Sequence, residues 1–383
     1  MLKEFEAVRD GLRAFYQERD DVITGMFEAL IAGQHVLLLG PPGTAKSLLV
    51  RDLCSSLEDA PYFEWLLTKF TTPEEIFGPV SLKGLEEDVY RRITTNKLPE
   101  ASIVFLDEMF KASSGILNAL LTAINERVYH NNGHPVELPL EMMVGASNEL
   151  PTEAELAALY DRLLVRFHVL PIQQEGAWVR MLLDQRKSAE VDAQISRKAL
   201  IEAQTAVPQV QVGQTVMDGM LTIRRELRAM GITASDRRWK ASLKLACAHA
   251  VLFGRDELEP EDLAVLARTM WEDPDEVRKV ERAVAEIASP LDALALDALD
   301  TVEEIYGNVM YDGSGKLIAS PSATAAAEAN AKLKDTLSEI NAKIKQGKAD
   351  GKDVSKLQVA ADRCKAANKT ICEAALGMEF DES

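Results

Sequence analysis

Eight consecutive residues, Gly40-Pro41-Pro42-Gly43-Thr44-Ala45-Lys46-Ser47, place two glycines, an ammonium and a hydroxyl between the apolar run His35 to Leu39 and the helix-forming Leu48-Leu49-Val50. Strand, glycine-containing loop and helix, in that order, are what a phosphate-binding loop requires. Backbone N–H groups curl round the β-phosphate, the helix N-terminus points its partial positive charge at it, and one ammonium reaches between the β- and γ-phosphates. Lys46 has the type and position for that last task. Ser47 can place its hydroxyl on Mg²⁺, an oxygen-seeking ion shared with nucleotide phosphates. The residue before the lysine in such loops is ordinarily glycine, and here it is Ala45. Alanine is accommodated if this position already lies in the first helical turn, which is the expectation.

Downstream, Ile103-Val104-Phe105-Leu106-Asp107-Glu108 is an apolar strand ending in two carboxylates. Ligands bind at the C-terminal edge of open α/β sheets, so acids at such a tip meet whatever the loop holds. Asp107 suits a water-mediated hold on Mg²⁺, and Glu108 suits the polarisation of a water attacking the γ-phosphate. His130 and His134 lie close together around Asn132-Gly133, but without a carboxylate pair in a polar turn they read as surface residues, not zinc ligands. Cys54, Cys247, Cys364 and Cys372 form no CxxC pair and read as reduced thiols.

These groups need a scaffold. His35 to Leu39, Ile103 to Leu106 and Met142 to Ser147 read as strands bounded by Gly, Pro, Asp or Asn, with helices over Ala45 to Leu57 and Ser113 to Glu126 between them. Strands joined by crossover helices predict a parallel α/β domain over residues 1–174. From 175 to 290 the pattern is helical, with Trp178, Leu243, Leu245, Leu263 and Leu266 expected on apolar faces. Residues 291–320, ending in a Gly-, Ser- and Pro-rich stretch, read as a linker. In 321–383, Leu333, Leu337, Ile340 and Ile344, followed by Leu357, Ala361, Cys364 and Ile371, predict an antiparallel helical hairpin.

The 383 residues carry a formal charge of −18. Acidic and basic residues balance from Pro321 onward, so the excess lies in the first 320 residues and disfavours duplex nucleic acid as a ligand. No apolar run reaches the roughly 18 residues of a membrane span, and MLKEFEAVRD does not resemble a signal peptide. A cytoplasmic location is expected.

The strings GPPGTAKS, FTTPEEIFGPVS, IVFLDEMFKAS, ILNALLTAINER, ASNELP, ALYDRLLVRF and SDRRWKASL, in this order over about the first 290 residues, resemble the AAA+ ATPases of the MoxR family and its RavA-like branch. The resemblance implies a three-layer α/β P-loop nucleotide-binding domain, a helical lid, ATP with Mg²⁺, and a homo-oligomeric ring, usually a hexamer. It implies that Asn148 is the first sensor, orienting the lytic water. It also implies an arginine finger at Arg162, with Arg166 as rival, and a second sensor at Arg237, with Arg238 as alternative and Ser235 or Asp236 as the helix cap. Two insertions are expected, a hairpin from Val128 to Leu138 turning at Asn132-Gly133 and an exposed segment from Phe77 to Leu98. MoxR relatives typically work with a von Willebrand factor A domain protein, which makes ATP-driven remodelling or activation of a partner protein the expected function. An ATP-gated scaffold or a nucleic-acid motor are the other classes open to such a ring. RavA-like proteins carry a larger, partly β-structured C-terminal extension, from which the short helical tail departs.

Overall fold

Five short apolar runs pair into one parallel sheet in the computed structural model, which describes residues 1–151, 154–312, 316–318, 321–349 and 354–376. The chain divides into two compact units, Met1–Val280 and Glu281–Ser383.

The first unit opens with helices α1 (Leu2–Phe15) and α2 (Asp20–Ala32), then β1 (Val36–Leu39) and α3 (Lys46–Ser55). Next come β2 (Tyr62–Leu66), the short α4 (Pro73–Phe77) and α5 (Leu82–Glu86), β3 (Ile103–Asp107) and α6 (Ser114–Glu126). A hairpin of β4 (Val128–Asn131) and β5 (His134–Glu137) precedes β6 (Met142–Ser147), α7 (Ala154–Arg162) and β7 (Val165–His168). The sheet order is β2-β3-β6-β1-β7. Strands β1, β3 and β6 are almost wholly buried, as apolar strands covered on both faces must be, and the expected three-layer α/β architecture is the one observed. Register aligns the strand tips: Leu39 is level with Ser147 and His168, Leu106 with Gly145, and Leu66 with Asp107. Gly145 in β6 is required by packing, because a Cβ there would come within 2.4 Å of Met109 Sδ.

The two insertions pack on each other. Phe77 stacks on Tyr129 at 5.5 Å, and Asn131 Oδ1 accepts from the Arg92 N–H at 2.9 Å. Asn132 (φ 54°) and Gly133 (φ 73°) make the tight turn that their types favour.

Helix α8 (Glu175–Leu183) leads to the helical part, α9 (Arg197–Ala206), α10 (Gln214–Ala229) and α11 (Asp236–Leu252), followed by 3₁₀ turns at Pro260–Arg268 and Pro274–Glu276. Leu245, Leu263 and Leu266 are fully buried as expected, but Trp178 is 50% exposed on α8 and belongs to no core. Buried charges tie α2 to this part. Glu28, fully buried, accepts from Arg268 Nη1 and pairs with His249 Nδ1, both at 2.7 Å, so its desolvation is met by two cationic or donor groups.

Helix α12 (Val277–Ala288) spans the boundary between the units. The second unit corrects the expected linker, since Pro290–Met310 is a 21-residue helix, α13. Ser289 caps it by accepting the Asp292 N–H, and Pro290 occupies the first turn, where its missing N–H costs nothing. Ala295, Ala298, Val302, Val309 and Met310 bury one stripe against α14 (Ala323–Ala349) and α15 (Ser355–Leu376). The expected apolar positions Leu333, Ile340, Ile344, Leu357, Ala361, Cys364 and Ile371 are buried, so α14 and α15 are the expected helical pair, and α13 joins them as a third helix.

One buried base makes the sheet sensitive to acid. His35, 5% exposed, accepts the Met143 N–H on Nδ1 at 3.0 Å and turns Nε2 toward Ile124 O at 3.4 Å, an arrangement that requires the neutral ring. Burial, reinforced by the charge of Arg127, pushes its pKa down from 6.5 to about 4. The unfolded chain takes up the proton first, so this contribution is complete above pH 6.5 and is lost as pH falls toward 4, about 3 kcal/mol in all. His35→Asn keeps an acceptor for Met143 but cannot titrate. Urea unfolding at pH 7, 5.5 and 4.2 is expected to show the wild-type advantage shrinking by about that amount. A constant gap across the three pH values would contradict a neutral, buried His35.

Candidate functional site

The loop after β1 begins with Gly40 (φ 147°), whose missing side chain is a steric necessity, because a Cβ would lie 2.1 Å from Val169 O. Gly43 (φ 80°) opposes open space. Ala45 corrects the sequence expectation: it is not in the first helical turn but left-handed (φ 62°, ψ 24°), capping α3. That conformation costs a non-glycine residue about 1 to 2 kcal/mol. It is the reason glycine is usual there, and its retention stores strain at the point where the loop turns its N–H groups inward.

Lys46, the first residue of α3, is buried and donates from Nζ to Gly40 O and Pro41 O, both at 2.8 Å. Its ammonium thus folds back on neutral carbonyls of its own loop. Burial pushes its pKa down, while Asp107 and Glu108 pull it up. Among the described residues no carboxylate is within ion-pair distance of Lys46, so a cation at a helix N-terminus has its counter-charge still to be supplied. Ser47 and Leu48 follow half-buried in the same turn. A cavity of about 300 Å³ opens beside the loop, lined by Gly40, Pro41, Pro42, Asn148, His168 and Pro274.

Across β6, Asp107 ends β3 and its Oδ1 accepts the Glu108 N–H at 3.0 Å. Glu108 is itself left-handed (φ 52°, ψ 41°), which turns its carboxylate away from the strand direction. There Oε1 accepts from Asn148 Nδ2 at 2.8 Å and Oε2 pairs with Lys111 at 3.2 Å. Asn148 is exposed just beyond β6, in a turn tightened by Ser147 Oγ donating to Glu149 O at 2.7 Å. Sequence reasoning did not weigh Lys111. Its spacing of three from Glu108 was the available signal.

The arginines separate by burial. Arg166 is 1% exposed, donates to the carbonyls of Leu163, Trp271 and Tyr160, and lies 3.7 Å over the Tyr160 ring. Burial, with repulsion from Arg238, lowers its pKa to about 9. Arg238, 2% exposed, is spent on Leu164 O, Thr269 O and Asp161. Both are fixtures holding the helical part to β7, and neither can reach outward. Arg162 keeps an accessible guanidinium whose Nε donates to Asn125 Oδ1, and Arg237 is 60% exposed with Asp161 at 4.0 Å. The two share Asp161 and repel each other, which lowers the Arg162 pKa further below the value that burial gives it. Ser235 is the observed cap of α11, accepting the Arg238 N–H at 3.2 Å.

A triphosphate fits this arrangement: positive-φ residues at 40, 43 and 45, an uncompensated ammonium, and open space beyond Gly43. The Ser47 hydroxyl and Asp107 carboxylate are oxygen donors of the kind Mg²⁺ takes one or two at a time. No group of three metal-ligating side chains occurs among the described residues, and none of their helices is long and apolar enough to cross a membrane.

Comparison with known proteins agrees with the geometry. Residues 3–209 match the family model of the MoxR domain in MoxR-vWA-beta-propeller ternary systems, and residues 215–284 match an AAA lid domain. Two uncharacterized proteins of Methanocaldococcus jannaschii are 38% identical over 313 residues, covering 81% of each chain, and 37% identical over 305 residues, covering 79% of this chain and 81% of the relative. A crystal structure from Cytophaga hutchinsonii, described as a candidate ATPase, superposes with a TM-score of 0.60 at 18% identity, over 75% of this chain and 94% of its own, which shows a shared fold. The match carries the family and not the RavA-like branch. With a MoxR domain over more than half its length and the lid that follows it, the chain belongs to the MoxR family of AAA+ ATPases.

Proposed function

We propose that this chain is a Mg²⁺-dependent ATP hydrolase that assembles into a homo-oligomeric ring, a hexamer by family resemblance, and uses turnover to remodel or activate a partner protein. A von Willebrand factor A domain protein is the proposed partner, supported by the ternary systems for which the matching family model is described. The observation that carries the hydrolytic part is the Glu108 carboxylate, aimed by Asn148 and Lys111 at the sheet edge that also bears Lys46. Lys46 and the loop N–H groups bind the β- and γ-phosphates. Ser47 and Asp107 would hold Mg²⁺, which would supply charge neutralisation at the phosphates. Glu108 accepts the proton of the attacking water, and Asn148 keeps the carboxylate oriented for it. Arg162 and Arg237, accessible where Arg166 and Arg238 are buried, answer the negative charge of the transition state. Arg162 does so at the site of the adjacent subunit.

Glu108→Gln retains an acceptor for Asn148 but is no base. It is expected to bind ATP normally and hydrolyse it about 10²- to 10⁴-fold more slowly, as read by phosphate release alongside nucleotide titration. Binding lost in step with turnover would assign Glu108 a structural role instead.

Arg162→Ala alone is expected to bind ATP and hydrolyse it poorly, since such a group contributes on the order of 10³ to 10⁵ in rate. Mixed with Glu108→Gln under subunit exchange, it regains activity, because some interfaces join an intact Glu108 to a neighbour's intact Arg162. Inactivity at every mixing ratio, with mixed rings confirmed by mass, would exclude Arg162 as a residue acting across subunits.

A further inference from the structure

Arg19, between α1 and α2, is 8% exposed. Its guanidinium donates to Glu18 O at 2.8 Å and Leu170 O at 2.7 Å, which leaves three of its five N–H donors for other partners. Among the described residues no carboxylate is within ion-pair distance of it. Glu18, whose charge it feels, is committed elsewhere, accepting the main-chain N–H groups of Gln173 and Gln174 at 2.8 Å each. Arg166, still more deeply buried, spends its donors on three carbonyls, whereas Arg19 keeps donors unspent in a buried setting, and an anionic ligand would satisfy both those donors and the charge.

Its location says which ligand. Leu170 follows Val169, whose N–H donates to Leu39 O at 2.6 Å and whose carbonyl presses on Gly40, the first residue of the phosphate loop. Arg19 therefore stands at the start of that loop, and its charge is felt at Lys46, helping to push the ammonium pKa down. In the strand order β3-β6-β1-β7 it approaches from the β7 side. The hydrolytic groups Glu108 and Asn148 stand at the tips of β3 and β6, on the opposite side of β1. A polyphosphate lying along the loop turns its γ end toward Glu108 and its α,β end toward Arg19.

We propose that Arg19 is a second cationic ligand of the nucleotide, supplied by the same subunit and directed at the diphosphate that ATP and ADP share. This rests on the reading of the loop as a nucleotide site. The guanidinium fork suits bidentate contact with phosphate oxygens, and burial beside the loop shields it from water.

The test uses the full chain, titrated with Mg-ADP by calorimetry and assayed with ATP. Arg19→Gln is expected to weaken ADP binding about 10- to 100-fold and to raise the ATP KM by a similar factor, with the loss concentrated in KM and not kcat. Arg19→Lys, which keeps the charge but not the fork, is expected to lose about a third to a half as much on a logarithmic scale. A merely structural arginine tying the α1–α2 junction to Leu170 would give equal losses in both variants and would affect kcat as well. A folded Arg19→Gln protein with an ADP Kd within about threefold of wild type overturns the proposal. If that variant does not fold, an unchanged Kd in Arg19→Lys does so. Wild-type protein that binds neither nucleotide would instead overturn the reading of the loop itself.

Discussion

Parallel pairing of β1 with β6, and of β6 with β3, is the constraint on which the site depends. It puts Leu39, Ser147 and the Leu106-Asp107 tip at one edge, so the residues next in sequence, Gly40, Asn148 and Glu108, emerge as neighbours although they are far apart along the chain. The strands are apolar throughout and covered on both faces, which leaves polar groups only where the ladder ends. A shift of one residue in β3 would withdraw the Asp107-Glu108 tip from its place and turn the buried side chains over. The chemistry is therefore held by the pairing of Val, Leu, Ile and Met residues that never meet a substrate.

Charge is divided by the same logic. Arg166, Arg238 and Arg268 are turned inward onto carbonyls or buried acids, where they fasten the helical part to β7 and α2. Arg162 and Arg237 stand outward around Asp161. Removing one partner of an inward group leaves a buried charge or a row of carbonyls unsatisfied and destabilises the fold, whereas an outward group can be truncated with its cost confined to rate. Burial thus divides Arg162 and Arg237 from Arg166 and Arg238, a difference that spacing along the chain does not show.

Much of this was legible in residue order. Three strands, the helix after the loop and the Asn132-Gly133 hairpin follow from apolar runs broken by turn formers, as does the placing of Lys46 and Ser47 at a helix start and of Asp107 and Glu108 at a strand tip. The failures are instructive. Ala45 was expected to be helical because alanine favours helices, but the loop geometry overrides propensity and forces a positive φ. Residues 291–320 read as a linker from the Gly, Ser and Pro residues at their end, but the acidic Leu-Ala repeat before that stretch hides a line of alanines that only two further helices make into a core. Trp178 was expected on the apolar face of a helix, but α8 leaves it half exposed. Arg19 carried no signal: one arginine in a charged junction becomes notable only when folding buries it beside the loop without a counter-ion.

The central claim is that the Gly40–Ser47 loop receives a nucleoside triphosphate whose charge Lys46 compensates, and titration with a fluorescent ATP analogue in the presence of Mg²⁺ tests it most directly. Lys46 bonds only to its own loop in the structure, so Lys46→Ala is expected to keep the fold, with an unfolding midpoint lowered by the two loop carbonyls it leaves unpaired, while losing nucleotide affinity by about 100-fold or more. Undiminished affinity in a folded Lys46→Ala protein would contradict the account.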